Sequence, residues 1–314
     1  MSGAKLGAIC ATVSVLFFSI NDVAIKFLSG GYALHQVVLI RSVIGLFIIM
    51  AVIVPFTSGW AIARTKRLKM HILRGLCVVF ANMTFFLGLA AMPLADAVAI
   101  FFVSPLVITL FSVVFLGEVV GPRRWAAIAV GLIGVLVMMR PGTAAFQVAS
   151  LLPLAAAVCY AGLHILTRRI GGTESAATMA FYIQVVFLFV GVSFGLIAGD
   201  GRFGDQSDLS LAFLFRAWSW PAVADYPIFL LIGAGTAVAG YLISQAYRVA
   251  EASYVAPFEY LALPMAVVWG IVVFDEFPDL WDFVGMALIL GAGLFMVWRE
   301  ARAKPVALQR PLRR

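Results

Sequence analysis

Apolar residues run along this chain in blocks of about twenty, separated by short polar or basic breaks, and the blocks fill almost all of its length. A membrane-spanning helix needs roughly 20 mostly apolar residues, because its backbone groups must be satisfied internally where water is absent. The pattern predicts ten such spans, near 5–28, 33–54, 70–91, 94–116, 123–140, 149–168, 175–198, 227–248, 252–274 and 280–298. Most breaks between them are short, as antiparallel neighbours require. Two are longer. The basic segment Pro55–Lys69 is expected at the inner headgroup layer. The segment Gly199–Tyr226 contains SLAFLFRAWSWP, too short to span and rich in tryptophan, so an interfacial helix is expected there.

The blocks also repeat. LADAVAIFFVSPLVITLFSVVFLGE (94–118) parallels EASYVAPFEYLALPMAVVWGIVVFDE (251–276), with Pro105 and Pro264 at matched mid-helix positions. Each is followed by a tryptophan-bearing entry into a glycine-rich helix, RRWAAIAVGLIGVLVMMR and DLWDFVGMALILGAGLFMVWR. The first spans of the halves match more weakly, FFSINDVAIKF against CYAGLHILTRR. With five spans per half, equivalent helices cross in opposite directions, which is the inverted repeat of secondary transporters. The expected fold is an all-α polytopic membrane protein of ten transmembrane helices in a 5+5 inverted repeat. The two five-helix repeats are expected at 1–142 and 149–299, with a basic cytoplasmic tail at 300–314.

Composition agrees with this pattern. The hydrophobic fraction of the 314 residues is 63%, where soluble domains hold about 45–50%. A net charge of +7 would point to nucleic acid in a soluble chain, but its distribution excludes that reading here. With a cytoplasmic N-terminus, the inward side collects Lys5, Arg64, Lys66, Arg67, Lys69, Arg123, Arg124, Arg168, Arg169, Arg248 and the basic tail. The outward loops hold only Arg140, Arg202 and Arg216, beside Asp200, Asp205, Asp208, Asp225, Asp275, Glu276 and Asp279. This bias follows the positive-inside rule and predicts a multi-pass protein of the bacterial inner membrane with both termini cytoplasmic. The partners implied are the lipid bilayer, a small-molecule substrate and a coupling proton or ion, in a monomer or homodimer. Cys10, Cys77 and Cys159 lie inside apolar spans, so buried thiols are expected rather than disulfides. The first apolar run is too long for a signal peptide and carries Asn21, Asp22 and Lys26, so it reads as the first membrane helix.

Ionisable groups inside membrane helices cost at least about 2.5–3.5 kcal/mol and need a partner or a function. Asp22 and Lys26 are spaced i, i+4 and are expected to pair. Arg41 and Asp96 lie at similar depth, giving a four-charge cluster that either packs helices or contacts substrate. Toward the inner side lie Arg74, expected to snorkel to phosphates, and the deeper His164 and Glu259. Glu259 sits between Pro257 and Pro264, where a broken helix would free backbone carbonyls, so it is the candidate for proton or substrate coupling. Pro105 and Pro264, interrupting corresponding helices, point to the binding site. Asn21, Asn82, Tyr160, Gln184, Gln245 and Tyr260, with Phe85 and Phe101, are candidates to line a cavity for a flat, partly polar molecule. Most of the other phenylalanines are expected to face lipid or packing. No P-loop, no metal spacing among His35, His71 and His164 and no nucleophile elbow is present, so neither an enzyme nor a cofactor is expected.

The run PLADAVAIFFVSPL…GE…RRW and its counterpart AYRVAEASYVAPFEY…FDEFPDLWDFVGMALILGAGL resemble the EamA-like branch of the drug/metabolite transporter superfamily. The resemblance covers the whole chain and implies a central cavity opening alternately to each side. FFSINDVAIKFLS, the arginines of LIRS and ILRG, and APFEY are similar to a bacterial subgroup that includes RibN-type riboflavin transporters and S-adenosylmethionine carriers. Riboflavin uptake suits an aromatic interior with Asn, Gln and Tyr. S-adenosylmethionine uptake asks more of acids such as Asp22 and Glu259, and export of amino acids or related metabolites is a further possibility within the fold. A lipid flippase or membrane-bound transferase is the alternative of another class; the first needs a groove open to lipid, the second a larger catalytic loop.

Overall fold

In the computed structural model, residues 3–53, 59–117, 120–144, 146–170, 174, 176–249 and 258–302 are described, and their regular structure is helical. The first half contains α1 (Gly3–Leu28), α2 (Leu34–Ile48), α3 (Leu68–Ala91), α4 (Leu94–Phe101), α5 (Ser104–Leu116) and α6 (Pro122–Met139). The second contains α7 (Leu151–Ile170), α8 (Ala176–Ala198), α9 (Leu209–Phe215), α10 (Tyr226–Val249), α11 (Ala262–Phe274) and α12 (Leu280–Arg302). Among the described residues nine segments are long and apolar enough to span, with the fourth made of α4 and α5 together. The tenth is the shorter α11, because residues 250–257 of the expected span, Pro257 included, lie outside the described ones. Glu118 and the tail from residue 303 lie outside them as well.

The fourth span breaks at Phe102–Val103. Pro105 has no N–H to give the Phe101 carbonyl four residues back, and the Leu106 N–H turns to Val103 at 2.9 Å. The ninth span breaks at Tyr260–Leu261. There Pro264 cannot serve the Tyr260 carbonyl, which takes the Leu263 N–H at 3.2 Å. The two half-helices that follow also end alike, on Gly117 (φ 69°) and Asp275 (φ 57°) in left-handed caps. Glycine meets that conformation without strain, and Asp is one of the few other residues to visit it.

The packing obeys the same repeat. α1 lies along α10 as α7 lies along α3, and α2 meets α10 as α8 meets α3. α5 packs on α7 as α11 packs on α1, while α2–α8 and α6–α12 each pair one half with its own counterpart and α4 packs against α11. The halves are therefore interleaved, and each covers apolar faces of the other. At the α6–α12 seam glycine permits close approach, since a Cβ on Gly134 would lie 2.9 Å from the Gly285 carbonyl oxygen.

The expected interfacial helix is α9. Asp208 caps it by accepting the Leu211 N–H at 2.9 Å. Its Phe213 is buried and its Ser210 hydroxyl donates to the Leu87 carbonyl of α3, while Trp220, just beyond it, is 85% exposed. One face of this segment grips the helix bundle, while the tryptophan that follows it is left exposed. In Pro55–Lys69 the described part includes a short 3-10 turn, Gly59–Ala63.

Candidate functional site

Four helices bring together the first polar group. On α1, Asn21 donates to Asp22 at 3.5 Å and accepts from the Thr236 hydroxyl of α10 at 3.1 Å. On α2, Arg41 is only 4% exposed and donates to the Asn82 side-chain oxygen of α3 at 3.0 Å. Its guanidinium faces the rings of Phe86 and Phe187 at 5.5 and 5.3 Å, and Asp22 is the acid within electrostatic reach. A buried guanidinium needs this combination, because rings and an amide replace only part of its hydration.

The expected Asp22–Lys26 pair does not form. Lys26 reaches away from Asp22 to Glu276, 2.5 Å from Nζ to Oε1, and to the Met92 carbonyl at 2.8 Å. The other Glu276 oxygen accepts the Leu94 N–H at 2.9 Å, at the start of α4. One ion pair thus ties α1 to the first turn of α4 and to the connection after α11, the adjoining ends of both broken spans. A tertiary carboxylate that also caps a helix outcompetes a neighbour four residues away that already faces Arg41. The expected four-charge cluster therefore divides in two. Asp96 falls with Lys26, and its Oδ1 is a buried oxygen with no hydrogen bond among the described residues.

Beside it Arg140, at the end of α6, contacts Asp279 at 2.6 Å and Asp282 at 2.8 Å, joining α6 to α12. The Asp282 backbone N–H, with Arg140 and the Trp281 N–H, holds the Asp279 carboxyl below the usual carboxylate range.

A row of rings leads from Arg41 into the interior. Phe86 meets Phe85 at 5.4 Å, Phe85 meets Phe101 at 5.2 Å, Phe101 meets Tyr160 at 5.3 Å, and Tyr160 meets His164 at 4.5 Å. The row crosses α3, α4 and α7 and passes Phe101, the last residue of α4 before its break. Arg74 closes its far end, within electrostatic reach of His164. Arg74 does not snorkel: it is 4% exposed and its Nε donates to the Thr167 hydroxyl at 2.9 Å. The tight α3–α7 contact covers it before it can reach a headgroup. The rings meet edge-on or tilted, at 57–71° between planes, with a guanidinium at each end of the row.

Glu259 stands just before the break of the ninth span, within electrostatic reach of Tyr160 and Tyr260. The Tyr260 hydroxyl is buried with no hydrogen-bond partner among the described residues. The side chain is buried against Phe102, ring to ring at 5.2 Å, and against Gly293 of α12. Pro105 and Pro264 shape the breaks. Gln184 abuts α2 at Gly45, and neither Gln184 nor Gln245 bonds to another candidate among the described residues. Tyr182 stacks on His71 and donates to the Ala63 carbonyl, away from the ring row. Sequence reasoning did not single out Thr236, Phe86, Phe187 and Thr167, and it counted Glu276 only as a loop acid. Their types are ordinary; only their positions make them partners. No group of three or more His, Cys, Asp or Glu among the described residues is placed to hold a metal.

Comparison with known proteins agrees with this architecture. Residues 5–140 match the EamA-like transporter family. A riboflavin transporter of Rhizobium johnstonii is 31% identical over 303 residues, covering 96% of this chain and 94% of its own length. An S-adenosylmethionine uptake transporter of Rickettsia prowazekii is 28% identical over 301 residues, covering 95% of each. One solved crystal structure, 17% identical, superposes with a TM-score of 0.63 over 94% of this chain and shares the fold. The ten-span repeat, its paired helix breaks and a relative matched along nearly the whole length lead to one conclusion: the chain belongs to the EamA-like transporter family, as a multi-pass bacterial membrane transporter of a small molecule.

Proposed function

We propose that this protein is a secondary transporter that takes up a small heteroaromatic metabolite, riboflavin first among them, across the bacterial inner membrane. The observation that carries this reading is the ring row Phe85–Phe101–Tyr160–His164 beside the break of the fourth span, flanked by Arg41 and Arg74. A flavin-like ring system offers flat faces to the rings and carbonyl oxygens to the guanidinium groups. The riboflavin transporter of Rhizobium johnstonii supports the same substrate class. Riboflavin uptake is tested in an auxotroph lacking its own uptake system, at limiting external vitamin. Expression should restore growth; absence of growth, with the protein detected in the membrane, removes riboflavin.

A second reading is S-adenosylmethionine, favoured by acids of the interior, Asp22 facing Arg41 and Glu259 beside the ninth-span break. A sulfonium cation bearing a carboxylate would use acid and arginine together. Labelled riboflavin should be taken up despite excess unlabelled S-adenosylmethionine under the first reading, and labelled S-adenosylmethionine despite excess riboflavin under the second.

In this reading residues 1–142 and 149–299 are the two repeats, both termini are cytoplasmic and 300–314 is an inner basic tail. One chain supplies both halves, so a monomer is a complete transport unit whether or not two associate. The Lys26–Glu276 pair holds the outer ends of the two broken spans together, and opening to the outside separates it. Glu259 couples a proton to the cycle. Glu259→Gln keeps the shape and removes the titration, so uptake driven by a pH gradient should collapse while exchange of labelled for unlabelled substrate survives. Equal persistence of both rates would make Glu259 a structural acid.

A further inference from the structure

The seam between α6 and α12 opens, toward the Arg299 end, into a groove of about 270 Å³. Arg123, Ala126, Ala127 and Val130 of α6 and Gly291, Ala292 and Phe295 of α12 line it. The wall is apolar apart from Arg123. It stays open because the facing side chains are small, and a Cβ on Gly291 would meet nothing within 4 Å. Two exposed tryptophans mark its level, Trp125 (43% exposed) on α6 and Trp298 (49%) on α12, the second beside Phe295 at 6.1 Å. Tryptophans so exposed near the ends of membrane helices sit at the headgroup boundary. The groove therefore descends from the headgroup layer into the hydrocarbon, with a cation at its mouth.

We propose that this groove binds one anionic phospholipid, an acyl chain lying in the recess and the phosphate on Arg123. An apolar recess facing hydrocarbon cannot stay empty, because its lining would lose contact atoms that a lipid tail supplies. Water is no substitute where the walls offer no polar partners. The choice of an anionic headgroup follows from charge complementarity: Arg123 is exposed and makes no ion pair among the described residues, and Arg299 rises on α12 at the same level. Basic recesses between membrane helices at this depth select anionic lipid.

The test is native mass spectrometry of the full chain reconstituted in vesicles of equal parts phosphatidylglycerol and phosphatidylcholine. Wild type should retain one phosphatidylglycerol in preference to phosphatidylcholine. Arg123→Gln, a surface change, should lower that preference about fivefold, the weight of one basic residue at a membrane surface. Gly291→Leu, which fills the open space, should remove bound lipid of both kinds. Equal retention of the two lipids by wild type, or wild-type retention in both variants, overturns the site. A Gly291→Leu chain that keeps its lipid but changes from dimer to monomer overturns it too, by making the groove a contact between copies.

Discussion

Lys26 shows how one side chain joins distant parts of the molecule. Its ammonium lies on Glu276, 250 residues away, on the Met92 carbonyl and over the Phe274 ring. Glu276→Gln keeps a carbonyl oxygen for the Leu94 N–H but leaves Lys26 without its counter-charge. Removing one partner of a fully buried pair costs about 3–5 kcal/mol. Here both groups retain some exposure, so the loss should stay below about 3 kcal/mol. If the pair governs opening, the variant should reach the membrane in near-normal amount while uptake per molecule changes severalfold. A fallen melting temperature with unchanged uptake per folded molecule would make the pair a structural tie alone. Asp22 faces Arg41 instead, although the i, i+4 spacing with Lys26 is ideal. Local spacing permits a pair, and the best-matched partner in three dimensions takes it.

Two elements carry the design of the interior, the broken fourth and ninth spans. Each break comes two to four residues before its proline, because the missing N–H is felt at the carbonyl four residues back. The matched prolines were readable in the sequence, and so were the breaks they cause. What was not readable is that the break leaves Phe101 in a row of rings while its counterpart turns Tyr260 into packing against Phe102 and Gly293. Pro105→Ala and Pro264→Ala each restore a backbone donor and should straighten the span. Uptake in either variant should fall about tenfold or more at normal membrane abundance, since interrupted helices form the binding centre of such transporters. Wild-type uptake by both variants would show the breaks to be incidental.

At the level of the whole molecule, the main long-helix contacts recur when the two halves are exchanged, α9 being an addition of the second half, and most of the large helix contacts cross between halves. Arg140 with Asp279 and Asp282, and Lys26 with Glu276, add polar ties between halves in the same region. The charge bias of the loops predicts the orientation of this body in the membrane. A reporter active only in the periplasm should work when fused within 199–226 and fail when fused after Arg299. The reverse result would invert every helix and exchange the two faces assigned to uptake.

The span count, the inverted repeat and the paired prolines follow from sequence because the bilayer imposes length and internal hydrogen bonding on each segment separately. The loop charges add an expected orientation on the same local terms. The facing of each helix does not follow in this way. In water an amphipathic helix displays its buried side, but here lipid and protein interior are both apolar, so the sequence carries little signal for rotation. Tertiary packing alone turned Arg74 inward to Thr167, separated Asp22 from Lys26 and laid Gln184 against Gly45 of α2. It also assembled Phe85 and Phe101, from the consecutive α3 and α4, with Tyr160 and His164 of the distant α7 into one continuous row.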